Sequence, residues 1–104
     1  MANSIHSEQK QEEKQDVVED LLSRRFAVFL YNDDFTPMDF VVLVLRKIFN
    51  MPEDAALETM MKVHCDGFGM AGVFSREIAT TKVDQSTRAA VHAGHPFRCE
   101  VRPI

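Results

Sequence analysis

With 104 residues, the chain has length for one domain and one modest hydrophobic core. An apolar share of 45% fits a globular protein and argues against disorder throughout. The net charge of −4 resides in residues 1–20, where Glu8, Glu12, Glu13, Asp16, Glu19 and Asp20 face only Lys10 and Lys14; a neutral body with an acidic arm attracts nucleic acid or an anionic membrane poorly.

Residues 1–20 are rich in Gln, Glu, Lys and Ser and contain no aromatic residue. Such a segment buries too little apolar surface to offset its ordering entropy, so residues 1–22 are expected to be a flexible acidic extension and 23–104 the folded core. Composition leaves open whether the extension is a solvated tail or a tether captured by a partner. The longest apolar run, Phe40–Leu45, is far short of the roughly 20 residues that span a bilayer. No basic region followed by an apolar stretch opens the chain, and Cys65 and Cys99 are widely separated. The expectation is a cytoplasmic protein with reduced thiols, and nothing demands more than a monomer.

Order should begin near Leu21. Arg25–Tyr31 is apolar on both alternating sets, as in a strand covered on at least one face. Asn32-Asp33-Asp34 breaks that run with turn-favouring residues. Thr36-Pro37-Met38-Asp39 reads as a helix start, with Thr36 as cap, Pro37 at the first helical position and Asp39 completing a capping box. Met38, Val41, Val42, Leu45, Ile48 and Phe49 follow at helical spacing.

A second helix starts at Met51-Pro52-Glu53-Asp54, with Leu57, Met60, Met61 and His64 expected on one face and Gly67 as terminator. Phe68–Phe74 reads as a strand despite two glycines. Ser75 caps a third helix whose apolar positions are Ile78, Ala79, Val83, Ala90 and Val91, closed by Gly94 and Pro96. In the last strand Phe97, Cys99 and Val101 alternate with Arg98, Glu100 and Arg102. The order β-α-α-β-α-β implies an α+β fold: a two-layer sandwich with a three-stranded antiparallel sheet against three helices.

Where chemistry could reside is less determined. Asn32, Asp33 and Asp34 lie between a buried strand and a helix, a favoured place for binding groups. The same residues also make an ordinary turn in which Asn and Asp satisfy backbone N–H groups. His64 could be a satisfied helix-end histidine, and the methionines could be core filler or an adaptable pocket lining. His64, Cys65, Asp66, His92, His95 and Cys99 are potential ligands, but no pair has structural-zinc spacing, so no metal and no cofactor are expected. Cys65 has no signature of a base or an oxyanion hole, so the chain is not read as an enzyme.

At these residues the sequence resembles the ClpS family, adaptors of the bacterial Clp protease that recognise N-degrons. The matching blocks are Asn32-Asp33-Asp34-Phe35-Thr36-Pro37-Met38-Asp39-Phe40-Val41, then Val63-His64 and Gly67. Gly72-Val73-Phe74, Glu77–Val83 and His95-Pro96-Phe97-Arg98-Cys99 follow in family order, covering residues 24–102.

The resemblance implies a substrate protein beginning with Phe, Tyr, Trp or Leu, delivered to a ClpA-type ATPase hexamer. By position, Asn32, Asp34 and His64 match the residues that hold the substrate's α-amino group, with Asp33 shaping the loop. An ammonium offers three donors and no acceptor, so a carboxylate, an amide oxygen and a ring nitrogen suit it. Met38, Val41, Met60, Val63 and Phe97 match the side-chain pocket, with Thr36 at its rim. Family members often carry Leu in place of Phe97, which points to narrowed or shifted specificity and a divergent second paralogue. Glu77 and Lys82 match the ATPase-docking residues, with Thr80 standing where the family usually has an acid. A second reading keeps the fold but makes the protein a regulator or inhibitor of the ATPase without substrate delivery.

Overall fold

The computed structural model describes residues 24–104, so the expectation for the acidic extension lies outside the described residues. The elements are β1 (Phe26–Tyr31), α1 (Met38–Lys47), α2 (Glu53–Asp66), β2 (Phe68–Phe74), α3 (Arg76–Ala93) and β3 (Arg98–Pro103). The three strands form one antiparallel sheet in the order β2-β1-β3, the expected α+β arrangement.

β1 is central because its alternating apolar residues serve both sheet faces. Val28 and Leu30 are fully buried and meet Val41, Val44 and Leu45 of α1, Met60 and Val63 of α2, and Ala79 and Ala90 of α3 in a single core. The opposite face is half-open. There Phe29 tilts against Phe68 at 6.1 Å, while Arg102 lies over the Phe29 and Tyr31 rings. Arg98 stacks on Tyr31 at 4.8 Å, and the Tyr31 hydroxyl donates to Glu100 at 2.9 Å. The register of β2 against β1 shifts between Val28 and Phe29, where Gly72 and Met70 are successive partners. This bulge sends the extra residue, Ala71, into the core.

The helix C-termini and the start of α3 follow local chemistry. Gly67 and Gly94 close α2 and α3 in the left-handed region, at φ of 89° and 76°, where a side chain would be strained. Ser75 caps α3 by accepting from the Ile78 N–H. The starts of α1 and α2 each have a proline at the N-cap, Pro37 and Pro52, with no side-chain cap, and at α1 this departs from expectation. The capping box does not form because the Thr36 hydroxyl donates to Asp33 Oδ2 at 2.7 Å. Asp39 is likewise occupied, accepting from the adjacent Phe40 N–H.

Two helix faces also differ from expectation. On α2 the buried stripe is Ala56, Met60 and Val63, while Leu57, Met61 and His64 face outward. On α3 Ala79, Ser86 and Ala90 are buried, whereas Ile78 and Val91 are exposed. Small residues fill the α3 seam because the helix packs close to the sheet, and larger apolar side chains are displaced to its flank. Ser86 fits there by donating to the Lys82 carbonyl at 2.8 Å. Burial pushes the Cys99 thiol up to about 11, only partly offset by its hydrogen bond with Ser86, so Cys99 is an inert core residue.

Candidate functional site

The loop from Asn32 to Pro37 is built on Asp33. Its carboxylate accepts from the Phe35 N–H at 2.9 Å, the Thr36 N–H at 2.7 Å and the Thr36 hydroxyl. Burial alone would raise the carboxyl's pKa. The Thr36 hydroxyl, the Phe35 and Thr36 N–H groups and, last, nearby His95 outweigh it and hold the pKa below the ordinary value. Asp33 thus fixes the loop conformation, leaving Asn32 and Asp34 on either side exposed.

A second tie sets the position of the loop. The Asn32 N–H donates to the Gly67 carbonyl at 2.9 Å, joining the end of β1 to the end of α2. That bond brings Asn32 toward His64 in the last turn of α2, although they are far apart in sequence. Between the loop, the start of α1 and the end of α2 lies a cavity of about 360 Å³. Of the residues matched to the amine site and side-chain pocket by resemblance, Asn32, Asp34, Thr36, Met38, Val41, Met60, Val63 and His64 line it.

The lining grades from polar to apolar. Asn32, Asp34 and His64 are exposed, whereas Val41, Met60 and Val63 are buried. The result is a mouth carrying a carboxylate, an amide and an imidazole above a hydrocarbon floor. Gly69 lies behind that floor: a Cβ there would come within 2.8 Å of Val63 Cγ2. Only a residue without a side chain lets β2 approach α2 this closely.

Phe97 is placed differently from expectation and does not line the cavity. It is 5% exposed and packs edge-on against Phe40 at 5.8 Å; Phe40 in turn meets His95 at 4.8 Å. The bulky ring is held within this aromatic group, in the same buried core as the floor residues Val41, Met60 and Val63. The lining also includes Phe35, 79% exposed, and Pro37. The sequence reading gave neither a site role, although both lie inside the loop block and such an exposed phenylalanine beside a pocket mouth is a usable signal.

The other assigned surface separates in two. Glu77 is exposed in the first turn of α3. Lys82 is half-buried and donates to the Ile48 carbonyl at the C-terminus of α1. Its ammonium also lies 5.7 Å and 5.4 Å from the centroids of Phe49 and Phe74. It therefore acts as a C-cap for another helix, as a cation suits an orphan carbonyl. Among the described residues no group of three His, Cys, Asp or Glu side chains could hold a metal ion. No helix of that region is long and apolar enough to cross a membrane.

The family model described as ATP-dependent Clp protease adaptor protein ClpS matches residues 22–100. The chain belongs to the ClpS family. It is 48% identical over 79 residues to the ATP-dependent Clp protease adapter protein ClpS of Variovorax paradoxus, covering 76% of this chain and 66% of that one. For the same-named protein of Paraburkholderia phymatum the identity is 50% over 74 residues, covering 71% of each chain. The match to the Variovorax relative thus spans just under two thirds of its length. Among solved structures, Agrobacterium tumefaciens ClpS2 bound to L-phenylalaninamide is similar with a TM-score of 0.75 and 37% identity, covering 78% of this chain and 98% of that one. The described core is therefore the ClpS fold.

Proposed function

We propose that the protein is a non-catalytic adaptor that holds the first residue of another protein, when that residue is large and hydrophobic, for delivery to a Clp ATPase. The observation that carries this reading is the gradient of the cavity, a carboxylate, an amide and an imidazole at the mouth over a hydrocarbon floor. A free N-terminus presents the complementary pair, an ammonium and, one carbon away, a side chain. Asp34 supplies the counter-charge, Asn32 an amide oxygen and His64 a ring nitrogen. Met38, Val41, Met60 and Val63 receive the side chain, with Thr36 at the rim. Burying a Phe or Leu side chain there contributes about 1.5–3 kcal/mol.

A ligand of this form supports the reading. L-Phenylalaninamide, bound in the similar ClpS2, carries a free amine, a benzyl group and an amide in place of a carboxylate. A cavity of about 360 Å³ lies within the range of small-ligand sites, roughly 300–1,000 Å³. For ATPase docking we assign exposed Glu77 and the adjoining face of α3, with Lys82 fixing α3 against α1 from within. The test is binding of a peptide beginning with Phe, free and N-acetylated. Acetylation removes the charge and two donors, so affinity should be lost; equal binding of both forms would overturn the reading.

A further inference from the structure

A second, smaller cavity of about 230 Å³ adjoins the first, lined by Tyr31, Asn32, Asp33, Pro96 and Arg98. Asn32 and Asp33 line both cavities, so the smaller one begins where the amine-facing loop ends. Its cation, Arg98, lies over the Tyr31 ring with Cζ 4.8 Å from the centroid. Among the described residues that guanidinium forms no hydrogen bond or ion pair, unlike Arg102, which lies 3.7 Å from Glu100. Stacking restricts the side chain and leaves its donor edge open.

We propose that this second cavity is a subsite for the residue following the substrate's N-terminal residue, and that Arg98 selects an acidic side chain there. The inference rests on the amine-site reading, which anchors the first residue at the shared Asn32–Asp33 wall. One residue spans about 3.3–3.6 Å, so the second side chain emerges next to that wall. Asp33 and Asp34 oppose an incoming acid. Three neutral donors disperse the Asp33 charge without removing it, and Asp34 lines only the larger cavity, so Arg98 must outweigh Asp33 alone. Arg98 is the one cation lining the subsite, and a planar guanidinium matches a carboxylate with two parallel hydrogen bonds.

The experiment uses the full chain and fluorescent decapeptides that begin Phe-Glu, Phe-Ala or Phe-Lys and are otherwise identical. Anisotropy at low salt should rank them Glu over Ala over Lys, with each step about threefold to fivefold, as for a partly exposed ion pair. The readout is the ratio of the Phe-Lys to the Phe-Glu dissociation constant, in which any general change in binding cancels. That ratio should collapse toward one in Arg98→Ala, invert in Arg98→Glu, and shrink in the wild type as salt is raised. A wild-type ratio near one, or a ratio that Arg98→Ala leaves unchanged, overturns the subsite while leaving the amine site standing. Equal binding of N-acetylated and free Phe-Ala peptide overturns both.

Discussion

The Asn32–Pro37 loop and the Glu77–Lys82 turn of α3 were matched to the family by the same kind of evidence, short blocks of residues in order. The fold treats them differently. In the loop, Asp33 satisfies the backbone internally and leaves its two polar neighbours exposed. In α3 the lysine is itself drawn inward to the Ile48 carbonyl, and of the two matched docking residues Glu77 alone stays exposed. A motif thus identifies residues that matter together without saying which face the partner and which hold the others in place. Hydrogen bonds separate the two roles.

The largest way to break this contrast is Asp34→Ala. Removing a charge-assisted contact to the ammonium should cost about 1.5–3 kcal/mol of peptide affinity, with the unfolding midpoint hardly moved. Calorimetric titration with a peptide beginning with Phe, beside a urea melt, checks both. Lys82→Met should invert the pattern. It leaves the Ile48 carbonyl without its cation and should lower stability by about 1–2 kcal/mol, read as a lower urea midpoint. Peptide affinity of the folded fraction should stay unchanged; a stable Lys82→Met protein would return Lys82 to the surface role.

Asp33→Ala lies between these extremes because it loosens the loop rather than the ligand. The carboxyl's pKa is lowered on folding, so its stabilisation is present above the unfolded value of about 3.9. It is lost as pH falls through the still lower folded value. Wild type and Asp33→Ala should therefore differ by about 1 kcal/mol in urea melts at neutral pH and converge in strong acid. A difference constant with pH would remove the carboxylate as its source. A smaller effect is expected at His64. His64→Ala removes one neutral acceptor from the mouth and should weaken peptide affinity by about 0.5–1.5 kcal/mol, read by the same calorimetric titration; an unchanged affinity would remove His64 from the amine site. Smallest is Phe97→Leu, a buried residue outside the cavity lining. The relative affinities for peptides beginning with Phe, Tyr, Trp and Leu should shift by less than about threefold, within the cost of a tolerated core exchange.

Much of this was legible in the sequence for physical reasons. Pro37, Pro52, Gly67 and Gly94 fix helix ends through backbone restrictions that act locally, and the observed ends fall beside them. The cavity was legible because most of its lining lies in one continuous block, with α2 adding Met60, Val63 and His64. Competition between partners was not visible. Thr36 could cap α1 or bond Asp33, and only the folded loop decides. The Lys82–Ile48 contact joins residues 34 apart, beyond any helical period. The α2 face was misread because Leu57 and Met61 are apolar yet remain half-exposed, so composition could not separate them from Met60 and Val63.

Gly69 gives the cavity an adjustable depth. Its missing side chain lets Val63 recede, so the floor lies as low as the backbone behind it permits. A single methyl group at that position would push the valine forward and make the pocket shallower from behind. Preference among N-terminal residues can therefore be graded from the far side of a wall, with every ligand-touching side chain left as it is.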